Sequence, residues 1–156
     1  MRKLENLIPP PAVLLITLLL IFGISRVDNH RILRLDAWQL NSLLAALLVI
    51  VGIGIAVLAI KQFRQAQTTV NPLRPDSAST LVTSGIFKRS RNPMYLGMVL
   101  VVLSSVVFYG SAWGLLAVAA FIAFISRFQI VPEERAMKAL FGDQFDSYKL
   151  HTRRWV

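Results

Sequence analysis

The chain has 156 residues, of which 55% are hydrophobic and 16% charged, with no cysteine, two histidines and a formal net charge of +9. At a mean hydropathy of +0.59 it carries more apolar surface than one soluble core of this size can cover, which excludes a water-soluble globule and turns the excess toward lipid. The lack of cysteine excludes disulfides and thiolate metal sites, and His30 and His151 alone argue against a histidine-rich metal centre, so no metal site is expected.

Three runs carry no charged residue: Asn6 to Ser25, Ala37 to Ile60 and Asn92 to Ser126. A span needs about 20 mostly apolar residues to cross roughly 30 Å of hydrocarbon. The third run is too long for one span, and Gly110-Ser111 divides it into a hairpin. The pattern predicts an all-α, polytopic membrane bundle of four helices in one domain over residues 1–156. The spans are Pro10 to Ile24, Trp38 to Ile60, Met94 to Tyr109 and Ala112 to Val131, followed by a tail over residues 132–156. The first helix follows Met1-Arg-Lys3, but no small-x-small cleavage site follows it and Pro9-Pro10-Pro11 opens it, so it is read as a retained span. In the second span Gly52 and Ala56 share one helical face, a pattern for close helix packing.

Of the 17 Lys and Arg residues, 14 lie before the first span, between the second and third, or after the fourth. The positive-inside rule then puts both termini and the middle segment in the cytoplasm. Trp38, Tyr109 and Trp113 fall together at the opposite interface, where an aromatic belt is expected. This distribution explains the net charge without nucleic acid. Connections on the outer side are short, so a site is expected on the cytoplasmic side, where the longer segments lie.

The middle segment Thr68-Thr-Val-Asn-Pro-Leu-Arg-Pro75 is not a continuous helix, because each proline holds the residue before it extended. Leu81-Val82 leads into a turn at Thr83-Ser84-Gly85, with Gly85 free to take positive φ. Pro93 suits a first helical turn, where a missing N–H costs nothing, so the third span begins at Asn92 or Pro93 with Arg89 and Arg91 at headgroup level. Pro132 repeats this logic in the tail, opening a helix that carries Glu133 and Glu134 and ends at Gly142. A second short helix, capped by Asp143, buries Phe145 and Tyr148.

As isolated residues Lys88, Arg89 and Arg91 read first as headgroup anchors, and Asn92-Pro93 as a helix start. The helix dipole favours one acid in a first turn, but Glu133 and Glu134 are two, which offers acceptors for a cationic or hydroxyl-bearing ligand. Arg127 either snorkels or faces a polar cavity. There is no Gly-x-Gly-x-x-Gly, no phosphate-binding loop and no His-Glu-x-x-His, so any cofactor is held by loops and helix ends at the membrane face.

From about Thr68 to Trp155, the motifs Leu81-Val-Thr-Ser-Gly85, Arg91-Asn-Pro-Met-Tyr-Leu-Gly97, Glu133-Glu134, Leu140-Phe-Gly142 and Tyr148 stand in one order. In that order they resemble the isoprenylcysteine carboxyl methyltransferases and their prokaryotic relatives, membrane enzymes that use S-adenosylmethionine (SAM). The resemblance implies cofactor contacts from Thr80, Leu81, Val82, Phe87, Asn92, Pro93, Met94, Tyr95 and Glu133. It places Asn92, Tyr95 and Arg91 at the reacting centre and Arg89, Arg127, Gln129 and Arg135 toward the acceptor's head. The implied partners are a lipophilic acceptor and membrane lipids. The sequence departs from the family pattern at Asn92, where His is common, at Phe87, where Tyr is common, and near Gln129, where eukaryotic members have Arg. Asn92 hydrogen-bonds but does not titrate. Phospholipid N-methylation and a non-enzymatic membrane scaffold are the competing readings.

Overall fold

The computed structural model describes residues 5, 7–27, 38–68 and 78–156. The proline-rich stretch over 69–77, the connection over 28–37 and the side chain of Trp38 lie outside the described residues. Every regular element among the described residues is helical: α1 (Pro10–Val27), α2 (Trp38–Gln65), a 3-10 turn at Gly85–Lys88, α3 (Pro93–Tyr109), α4 (Gly114–Ile125), α5 (Val131–Phe141) and α6 (Asp143–His151).

The first two helices run past their apolar segments, to Val27 rather than Ile24 and to Gln65 rather than Ile60. Lys61, Gln62, Arg64 and Gln65 are good helix formers, so the end of the hydrocarbon run does not end the helix. Gln67, at φ 50°, comes just after α2. The additional turn of α2 carries Phe63 to the site described below.

α3 starts at Pro93 as expected and ends on Gly110, whose φ of 65° and ψ of 22° are left-handed. The Ser111 hydroxyl accepts a hydrogen bond from the Gly114 N–H at 3.2 Å, which closes the hairpin and starts α4 at Gly114 rather than Ala112.

The largest departure from expectation lies at Pro132. The fourth span and the tail helix form one continuous helix over Gly114–Phe141, 28 residues long. A π turn at Ser126–Ile130 joins them, with the Val131 N–H bonded five residues back to the Ser126 carbonyl. Because the ladder is already shifted there, Pro132 enters α5 without ending the helix. The break comes at Gly142, at φ 52°. Asp143 is the first residue of α6 rather than its cap, a place Gly142 takes.

α3 packs against α1, α2 and α4. Val13 and Ile21 of α1, Val102 and Val106 of α3, and Val118, Phe121 and Ile125 of α4 form one core. α2 meets α3 where Gly52 faces Gly97, so closely that a Cβ on Gly97 would lie 2.5 Å from the Gly52 carbonyl oxygen. Ala56 stands beside the same contact. The outer faces are apolar and open: Leu19, Ile50 and Leu116 are each more than 60% exposed, as lipid-facing side chains are. Thr17 and Ser104 donate their hydroxyls to the carbonyls of Val13 and Val101, at 2.8 and 2.7 Å, which satisfies polar groups inside the bundle. Among the described residues three helices, α1, α2 and the α4–α5 unit, are long and apolar enough to cross a membrane, and the 17-residue α3 is a shorter apolar helix among them.

Candidate functional site

A second apolar cluster lies below the bundle, where Ala59 of α2, Val82, Phe87 and the α6 residues Phe145 and Tyr148 pack together. Gly85, at φ 55°, turns the chain into the 3-10 helix and places Phe87 against Phe63, with ring centroids 4.9 Å apart. The Tyr148 hydroxyl donates to the Phe87 carbonyl at 2.6 Å and ties α6 to this turn. Burial pushes the Tyr148 phenol well above its ordinary value, despite the opposing charge of Arg91, so it remains a neutral donor.

Between this cluster and the bundle lies a cavity of about 400 Å³. Thr80, Leu81, Val82, Phe87, Asn92, Pro93, Met94, Tyr95 and Glu133, the nine residues expected to meet a cofactor, all line it. Arg91, expected at the reacting centre with Asn92 and Tyr95, lines it too. Sequence reasoning missed Pro9, Pro10 and Pro11 at the start of α1, Phe63, Ala78, Met98 and Met137. Glu134 and Tyr148, read as motif residues without an assigned contact, and Phe145, read as a buried aromatic, also line the cavity.

The two adjacent glutamates have different surroundings. Glu134 sits between two guanidiniums: Arg91 donates to Oε1 at 2.7 Å, and Arg154 reaches Oε1 at 3.1 Å and Oε2 at 2.6 Å. That hydrogen bond holds the Arg154 guanidinium above its ordinary value. Arg91 also donates to the Thr152 carbonyl, and its backbone N–H bonds the Arg153 carbonyl at 3.0 Å. The Asn92 side-chain amide donates to the Arg154 carbonyl at 2.9 Å. Residues 152–154 thereby strap the start of α3 to α5. Glu133 accepts a hydrogen bond from the Tyr95 hydroxyl through Oε1, and among the described residues no basic side chain pairs with it. It is a carboxyl group without a counter-charge on a mostly apolar wall, whose charged form a bound cationic group would favour.

The four residues expected to meet the acceptor's head lie outside this cavity. Arg89 is exposed. Arg127 and Arg135 both pair with Glu5, at 3.1 and 2.6 Å. Gln129 is fully buried in the π turn and donates to the Ile8 carbonyl at 2.8 Å.

The cavity's fit to a SAM-sized group rests on its size, its aromatic and thioether walls and its single uncompensated carboxylate. A volume of about 400 Å³ lies within the roughly 300 to 1,000 Å³ of small-molecule sites. A 63-residue protein of Haemophilus influenzae, described only as uncharacterized, is 38% identical to this chain over its whole length, which covers 40% of the chain. No solved structure matches. The phospholipid methyltransferase family model matches residues 40–144, from α2 into the start of α6, and so takes in the loop, the α3 start and the glutamate pair that build the cavity. That family is part of the isoprenylcysteine carboxyl methyltransferase-like superfamily of membrane methyltransferases, and this chain belongs to it.

Proposed function

We propose that the protein transfers a methyl group from SAM to a lipophilic acceptor at the membrane face. The observation that carries this reading is Glu133, a carboxyl group with no cationic partner among the described residues, on the wall of a mostly apolar cavity. Phe63, Phe87 and Tyr148 would flank the cofactor's base, and Met94 and Met98 its thioether portion. Glu133 would take its positive charge. When bound, SAM supplies an electrophilic methyl whose departure leaves a neutral thioether, so alignment matters more than proton transfer. Tyr95 fixes the carboxylate by donating to Oε1, which leaves Oε2 to the ligand. Asn92 is turned to the tail through its amide and positions the strap rather than moving a proton.

For the acceptor, an amine on a lipid head is the better reading. A carboxylate acceptor such as a prenylcysteine asks for a free cation in the cavity wall, and Arg91 is committed to Glu134 and to the Thr152 carbonyl. An amine needs no such cation, only the loss of one proton to solvent before attack, and the matched family model is described as phospholipid methyltransferase. Both termini and the cavity's mouth then face the cytoplasm, from which the cofactor enters while the acceptor arrives from the bilayer.

Calorimetric titration of the detergent-solubilised protein with SAM and S-adenosylhomocysteine, beside Glu133→Ala, tests the donor. Saturable binding that weakens by at least about tenfold in the variant, a loss of roughly 1.4 kcal/mol, is the expected result. A folded protein that binds neither compound would remove the methyltransferase reading.

A further inference from the structure

The cavity wall made by Pro9, Pro10 and Pro11 is held from outside by two contacts that the reading above does not use. In the first, the Glu5 carboxylate is shared, Oε1 to Arg127 and Oε2 to Arg135, so each oxygen meets one guanidinium. In the second, Gln129 grips the Ile8 carbonyl, one residue before the prolines. Two oxygens of a phosphate diester present the same pair of acceptors to the same two donors. Arg127 also lies 5.5 Å from the Phe128 ring centroid, within cation–π range.

We propose that Arg127 and Arg135 form a seat for the phosphate of a phospholipid head, and that Glu5 closes it as a displaceable latch on the Pro9–Pro11 wall of the cavity. The latch is weak by construction. The two arginine side chains are 44% and 48% exposed and that of Glu5 13%, and pairs open to solvent on the cationic side are exchanged and screened more readily than buried ones. Basic side chains beside a bilayer meet phospholipid heads at high local concentration. The second contact is incomplete. The Oε1 atom of Gln129 is buried without a partner, although the residue is fully enclosed. Buried amide oxygens are ordinarily satisfied, so the closed arrangement leaves a group that outward movement of Ile8 would expose to water or a lipid donor. The π turn that carries Arg127 and Gln129 is the one place where the long helix departs from regular hydrogen bonding. Exchange of Glu5 for a lipid phosphate frees the proline wall and opens the cavity toward the bilayer. Only this last consequence rests on the cavity being the methyl-transfer chamber.

The cysteine-free chain allows a direct test. Spin labels at Leu7→Cys and Leu140→Cys, both at exposed positions, report the distance from the N-terminal segment to α5 in maltoside micelles, without SAM. Short-chain phosphatidylglycerol is expected to shift the distance distribution outward. Adding Glu5→Gln should lower the lipid concentration for half the shift by about three- to tenfold. The double variant Arg127→Gln, Arg135→Gln should not respond to lipid. An unchanged distribution with lipid, in both the native background and Glu5→Gln, overturns the latch. An equal shift with inorganic phosphate at the same concentration overturns the lipid as its source. Because SAM is absent, failure of the donor reading and failure of the latch are separately visible.

Discussion

Glu133 and Glu134 are neighbours in one helical turn, yet their surroundings assign them opposite work. Glu134 is a structural anion: its side chain is 17% exposed and that of Arg91 11%, and Arg154 closes the pair from the tail. Removing one member of a buried pair strands the other charge, which costs about 3 to 5 kcal/mol when burial is complete. For this partly open network Glu134→Ala should lower stability by about 2 kcal/mol, read as a lower thermal midpoint in detergent. Glu133→Ala, which frees only a tyrosine hydroxyl, should shift the midpoint far less while losing the cofactor. Equal midpoint losses in the two variants would mean that both carboxylates are structural. At this scale much of the site was legible, because Thr80 to Val82, Phe87, Asn92 to Tyr95 and Glu133 sit in local motifs with their own turn and helix-start chemistry. The strap was not. The carbonyls of Thr152, Arg153 and Arg154 bond to Arg91 and Asn92 some sixty residues away, and backbone acceptors carry no sequence signal.

Among the elements, the α2–α3 contact sets how closely the cavity walls approach. The Gly52 and Ala56 face was readable from spacing, but its partner, Gly97, lay inside a motif read for the site alone. A methyl at Gly97 would press on backbone rather than on a flexible side chain, so Gly97→Ala should cost about 1 to 3 kcal/mol and spread the two helices. Gly54 meets nothing within 4 Å. Gly54→Ala should therefore be neutral or gain up to about 1 kcal/mol from helix propensity. Thermal unfolding of both variants in one detergent checks the contrast, and equal behaviour would show that the close approach is not needed. The continuity of α4 and α5 was illegible for a related reason. Pro132 carries a strong local signal for a helix start, and only the preceding π turn, which no residue type announces, lets the helix pass through it.

For the whole molecule, hydropathy and charge make separate statements that meet at the cavity. Hydropathy places apolar helices in the bilayer but does not choose their direction. The expected direction rests on the sequence, in which 14 of 17 basic residues fall before the first span, between the second and third or after the fourth, with Tyr109 and Trp113 at the α3–α4 turn. Lys61, Arg64, Lys88 and Arg89 around the ends of α2 and the 3-10 turn belong to that basic side, as do Arg153 and Arg154 of the strap. A cofactor supplied from the cytoplasm reaches the cavity only if this side faces inward. Single cysteines in the otherwise cysteine-free chain make the orientation measurable: Ala112→Cys at the α3–α4 turn and Val156→Cys at the exposed end of the strap. A membrane-impermeant maleimide should label Ala112→Cys in intact cells and Val156→Cys only once the membrane is opened. The reverse pattern would set the cavity on the outer face, away from any cytoplasmic methyl donor, and the charge asymmetry would then need a cause other than topology.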